Sequence, residues 1–129
     1  MLEITPVQDK KQQEEICNKC NMEFNTSTLA YMAYENNCLL GAVQFIIKKG
    51  YAEIYDIRNA DNIADMEVLI ILGRAVFNFL ESCGIINVFA NGEFIKDEKL
   101  LKSIGFKKNN DDKWCVNLNE FFSTLCHHK

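Results

Sequence analysis

Ala52-Glu53-Ile54-Tyr55-Asp56-Ile57-Arg58, then Asn59-Ala60-Asp61-Asn62-Ile63-Ala64-Asp65, then a long apolar run from Met66 to Cys83, is the passage whose reading decides the fold. The first segment alternates strand formers with polar residues and follows the turn Lys48-Lys49-Gly50, so it reads as a strand. In the last segment Val68, Leu69, Leu72, Ala75, Val76, Phe79, Leu80 and Cys83 recur at helical spacing and share one broad face. Glu67, Arg74, Asn78 and Glu81 fall opposite, and Met66, Ile70 and Phe77 flank the polar stripe. The apolar arc is therefore wider than one sheet contact needs. Gly84 is the natural stop just past the helix. In many α/β proteins a strand-to-helix turn of this kind presents backbone N–H groups to a phosphate. This turn contains no glycine and sets Asp61, Asp65 and Glu67 at the helix start instead.

Working outward, Cys38 to Ile47 is a nearly continuous apolar strand, as expected for one covered on both faces. Thr28 to Tyr34 precedes it across the turn Glu35-Asn36-Asn37. With Tyr51–Arg58 these strands form an antiparallel meander. Leu2–Thr5 is a short first strand stopped by Pro6, and Gln8 to Asn21 a polar surface helix. Downstream of the long helix come a strand over Ile85–Ala90, a turn at Asn91-Gly92 and a helix over Phe94–Ile104 ended by Gly105. Two strands around Asn109–Asp112 follow, with a last short helix over Asn119–Leu125. The order predicts an α/β fold with a mixed, mostly antiparallel sheet of about six or seven strands and helices on both faces.

A chain of 129 residues, 48% hydrophobic and 25% charged, suits one soluble domain spanning 1–129. Its net charge of −4 argues against nucleic acid as the main partner. The longest apolar stretch, Val68–Leu72, is too short to span a bilayer. The first residues lack a basic region followed by an apolar run, so the expected location is cytoplasmic, with reduced thiols. Cys38, Cys83 and Cys115 stand among apolar neighbours and are expected to pack as small hydrophobes.

At this point the chain resembles the GNAT superfamily of acyl-CoA-dependent N-acyltransferases, over roughly Ser27 to Leu118. Ala52-Glu53-Ile54-Tyr55-Asp56-Ile57 is similar to that family's Ala-Glu-Ile-x-x-Leu strand. Glu81-Ser82-Cys83-Gly84 is similar to its Glu-x-x-Gly helix end. Leu100-Leu101-Lys102-Ser103-Ile104-Gly105-Phe106 looks like its Leu-Tyr-x-x-x-Gly-Phe. The family's pyrophosphate loop, Arg/Gln-x-x-Gly-x-Gly/Ala, falls on Ala64-Asp65-Met66-Glu67-Val68-Leu69. There the basic residue is alanine and both small residues are bulky, so side chains obstruct the amides that an anion would approach. The tyrosine that protonates the departing thiolate falls on Leu101, and the preceding asparagine on Phe94, with Asn91 close by.

The resemblance implies transfer of an acetyl group from acetyl-CoA to an amine of a small molecule or peptide. It makes Glu53 the general base. It places Asn59, Ala60, Ala64, Asp65, Met66, Glu67, Val68 and Leu69 against the cofactor, Asn91 as an orienting residue, and Arg58 within reach of a phosphate. Alternation along the strand puts Tyr51, Glu53, Tyr55 and Ile57 on one face and Asp56 with Arg58 on the other. The structural alternative for Glu53 is a strand glutamate hydrogen-bonded by a neighbouring tyrosine. Because the phosphate turn is degenerate, a non-catalytic binding or assembly module is the competing function. Met66, Ile70 and Phe77 would then be its partner surface, a homodimer included. A third reading takes Cys17 and Cys20, with Cys126, His127 and His128, as metal or thiol chemistry. Four ligands in tight pairs are not evident for it, and packing is the simpler reading of the two cysteines.

Overall fold

The computed structural model describes residues 1–126, with side chains to Thr124. Strands β1 (Leu2–Pro6), β2 (Leu29–Glu35), β3 (Cys38–Lys48), β4 (Tyr51–Asn59), β5 (Asn87–Ala90), β6 (Lys107–Lys108) and β7 (Trp114–Asn117) form one sheet. Its order is β1-β2-β3-β4-β5-β7-β6. Every neighbouring pair is antiparallel except β4 and β5, which run parallel across the connection through α2 (Met66–Ser82). The remaining helices are α1 (Lys10–Lys19), α3 (Glu98–Ile104) and α4 (Leu118–Cys126). This is the mixed α/β architecture that the order of elements predicts. Among the described residues no helix is long and apolar enough to cross a membrane.

Two apolar clusters cover the two faces of the sheet. On one face Val43, Phe45, Ile54 and Ile57 meet Leu72, Val76 and Leu80 of α2. Gly73 is required there, because a Cβ at that position would lie 2.8 Å from Cγ2 of Ile104 in α3. On the other face Ile16, Cys17, Cys20 and Met22 pack on Ala42 and Ala60. Phe77, read from the wheel as flanking the polar stripe, is fully buried. Its ring sits 5.3 Å from those of both Phe106 and Phe121, so the wide apolar arc serves the chain's own α3–α4 side.

The structure corrects three expectations. First, β3 and β4 slip register at one place: Gln44 pairs with Asp56 and Phe45 with Ile54, leaving Tyr55 without a partner. This β-bulge inverts the alternation downstream. Ile57 therefore joins Ile54 in the core under α2, while Asp56 and Arg58 pass to the same face as Glu53. Second, α3 starts at Glu98 rather than Phe94, because the Asp97 carboxylate caps it by accepting from the Leu100 N–H at 3.0 Å. Third, Cys38 and Cys83 are exposed and Cys115 is only half-buried, each lying near an element end where the local apolar pattern runs past the core.

Candidate functional site

The β4–β5 pairing covers only Ala52–Val88, Glu53–Phe89 and Ile54–Ala90. It is closed by the Asn91 N–H donating to the Ile54 carbonyl at 2.9 Å. Beyond that bond β4 continues through Asn59, while the chain after β5 turns away. Asn91 makes this turn: its side-chain oxygen accepts from the Glu93 N–H at 2.9 Å and its carbonyl from the Ile95 N–H at 2.9 Å. The parallel pair thus parts midway, in the middle of the sheet and beside the bulge at Tyr55. Glu53, half-buried, stands one row before it on the α1 side. Tyr51 meets Phe89 at 5.7 Å between ring centroids and Tyr55 meets Phe94 at 5.1 Å, so aromatic pairs bracket Glu53 along the strand.

The Tyr55 hydroxyl donates to Oε2 of Glu23 at 2.5 Å, not to Glu53. That bond, with some burial, pushes the phenol up to about 12, so the ring stays neutral across the physiological range. Glu23 belongs to the segment between α1 and β2, which a buried amide holds on the sheet. Gln44 is fully buried; its Nε2 donates to the Glu23 carbonyl at 2.8 Å. Its Oε1 accepts from Gln13 Nε2 at 2.8 Å, from the Asn25 N–H at 3.1 Å and from Thr28 Oγ1 at 3.1 Å. Neither Glu23 nor this network is evident from local patterns. Gln44 did leave a signal, as the one polar residue in the run Leu39–Ile47.

The turn into α2 is braced from within. The Ala60 N–H donates to the Leu40 carbonyl at 3.0 Å, the Asp61 N–H to the Lys19 carbonyl at 2.9 Å and the Ile63 N–H to the Ala60 carbonyl at 3.0 Å. The Asn59 side chain donates to the Leu40 and Asp65 carbonyls and accepts from the Asp65 N–H at 3.2 Å. Asp65 is the N-cap: its carboxylate accepts from the Val68 N–H at 3.2 Å. Ala64, Asp65 and Glu67 are exposed and Met66 half-buried, whereas Val68 and Leu69 point into the core. Arg58 turns back: its Nε meets Oδ2 of the buried Asp56 at 2.9 Å, and its Nη1 donates to the Asn21 carbonyl at 3.3 Å. Burial raises the Asp56 carboxyl although Arg58 pulls the other way.

Leu101, at the tyrosine position of the resembled motif, is buried and offers no acid. Cys17 and Cys20 are each 1% exposed. Burial first, then the charge of Asp56, pushes Cys17 up to about 11. Burial and the neighbouring Cys17 take Cys20 to about 12, so neither is a ready nucleophile or ligand at neutral pH. Among the described residues no three potential ligands gather into a metal site, and the side chains of Cys126, His127 and His128 lie outside them.

No protein-family model matches this chain, and no curated protein matches it closely. Solved structures match over nearly its full length. A GNAT family acetyltransferase from Brucella melitensis in complex with acetyl-CoA superposes with a TM-score of 0.68 at 15% identity, over 91% of this chain and 88% of its own. An IAA acetyltransferase from Bacillus cereus gives 0.68 at 14% identity, over 85% and 79%. A GNAT family acetyltransferase from Elizabethkingia anophelis with acetyl-CoA bound gives 0.64 at 13%, over 90% and 97%. Identities this low speak for the architecture alone. With its seven-strand order and its parting β4–β5 pair, this chain has the fold of the GNAT acetyltransferases.

Proposed function

We propose that the chain is an N-acetyltransferase that takes its acyl group from acetyl-CoA, passes it to an amine, and holds the cofactor's pyrophosphate weakly. The observation that carries this reading is the parting of β4 and β5, with Glu53 half-buried beside it on the α1 side. When bound, acetyl-CoA would supply a thioester: the amine nitrogen bonds its carbonyl carbon, the C–S bond breaks, and CoA leaves as a thiolate protonated by water, since Leu101 offers no acid. In this reading Glu53 takes the proton released by the amine, and the aromatic pairs beside it exclude water and favour an ammonium. The start of α2 does not fit the cofactor's pyrophosphate, since Asp65 already caps the helix and Glu67 adds charge of the same sign. The acceptor is a small-molecule or peptide amine, and the setting is the cytoplasm.

That same braced turn favours a second reading, a GNAT-fold binding module without catalysis. Its partner surface then shrinks to Met66 and Ile70, because Phe77 is covered by the chain itself. Calorimetric titration of the reduced protein with acetyl-CoA and CoA, followed by an amine screen, separates the two. Micromolar binding with transfer that Glu53→Gln abolishes supports the first reading. No binding at millimolar cofactor assigns the second.

A further inference from the structure

Away from β4, β5 and the turn into α2, a groove of about 990 Å³ runs between α3, the β6–β7 hairpin and α4. Its floor is apolar, made by Phe106, Trp114, Val116 and Phe121. Its rim is basic. The Lys102 and Lys108 ammonium groups gather about the Trp114 ring, 6.0 and 5.7 Å from its centroid. Concave, mostly apolar surface with a few convergent charges is the usual form of a small-molecule site.

The charges on the rim are the informative part. Lys108 shares an ion pair with Glu98 at 3.6 Å, with both side chains about half exposed. The ion pairs among the described residues do not include Lys102. Two ammonium groups thus lie near one ring, and the carboxylate of Glu98 pairs with one of them, Lys108. An anion near the ring would meet both cations, and the floor below accepts an apolar body.

We propose that this groove binds an amphiphilic carboxylate, with the headgroup between Lys102 and Lys108 and the apolar tail along Phe106, Trp114 and Phe121. The ligand is independent of the acyl-transfer reading, because none of the groove's lining residues belongs to β4 or β5.

Trp114 is the sole tryptophan of the chain, so its emission reports on this groove alone. The full-length protein is titrated with decanoate, below its micellar concentration, and with decanol as the uncharged analogue. A saturable change in Trp114 emission is expected, with decanoate bound roughly tenfold more tightly, as two partly exposed ion pairs allow. Lys102→Gln with Lys108→Gln should bring the two ligands to parity, circular dichroism confirming the fold. If that variant is unfolded, Lys102→Gln alone should still cut the preference severalfold. No saturable change overturns the proposal, as does a response equal for both ligands and indifferent to the lysines. A ligand-free change that follows protein concentration also overturns it, assigning the groove to a second copy of the chain.

Discussion

Gln44→Leu tests the buried network that holds the Glu23 segment on the sheet. Leucine matches glutamine in size, so no large cavity opens. The loss falls on the partners: the Glu23 carbonyl and the Asn25 N–H each lose the Gln44 bond that satisfies them. Gln13 and Thr28 keep each other at 2.8 Å, and Thr28 keeps the Asn25 carbonyl at 2.7 Å, so these two are largely spared. Two abandoned groups at about 1–3 kcal/mol each give about 2–6 kcal/mol. The added apolar burial returns about 1–2 kcal/mol of that. A net loss of about 3 kcal/mol is expected, read by urea unfolding as a lower midpoint at unchanged slope, or as a fall of about 10 °C in Tm. A second readout is local. If the segment lifts, the Glu23–Tyr55 bond breaks, and one phenol held up at about 12 falls back toward the ordinary value of about 10 in an ultraviolet titration. A stability loss below about 0.5 kcal/mol, the size of an ordinary surface substitution, with the high phenol unchanged, would refute the network as described.

Other perturbations address the turn into α2, the helix packing and the Asp56–Arg58 pair. Asp65→Ser with Glu67→Gln keeps a capping oxygen and removes two negative charges, so CoA affinity should rise at least about tenfold at low salt, by calorimetry. No gain would show that charge at the α2 start does not limit binding. Gly73→Ala adds a methyl 2.8 Å from the fully buried Ile104. Overpacking of about 1–3 kcal/mol should outweigh the helix gain of about 1 kcal/mol, lowering Tm; a raised Tm would mean that α2 and α3 pack more loosely. Asp56 has a raised folded-state value, so the native state binds its proton more tightly than the unfolded chain. Stability should therefore fall as pH rises from about 4 through that raised value, and Asp56→Asn should flatten this slope in urea unfolding at stepped pH. Parallel slopes for the two proteins would contradict the burial argument.

The order of elements was legible because the strongest local signals agree with the tertiary structure. The α2 periodicity, Gly84, Gly105 and the turns at Lys48–Gly50 and Asn109–Asp112 all mark boundaries that packing does not override. What escaped was long-range. Ile54-Tyr55-Asp56-Ile57 alternates as well with a bulge as without one, and only the pairing against Gln44 and Phe45 decides which side Asp56 takes. Phe77 looked like surface because the rings covering it lie 29 and 44 positions downstream, at Phe106 and Phe121. Phe94 and Ile95 looked helical because apolar spacing says nothing about Asp97 starting the helix later. At the candidate site Glu53 could be named from a strand motif. Glu23 could not, since nothing near it in sequence says that Tyr55 lies within 2.5 Å.

The Asp65 cap has one more consequence. It is a carboxylate tethered beside the helix start that any phosphate would seek, and so acts as an intramolecular competitive inhibitor at a fixed, high effective concentration. A cap of this type stabilises its helix by about 1 kcal/mol, so displacing it would weaken an incoming phosphate about fivefold. The competitor cannot be diluted away, and its short-range bond is barely touched by salt. Glu67 instead repels through solvent and is screened as ionic strength rises. Salt titration of phosphate binding would thus divide the handicap into a screened part belonging to Glu67 and a salt-resistant part belonging to Asp65.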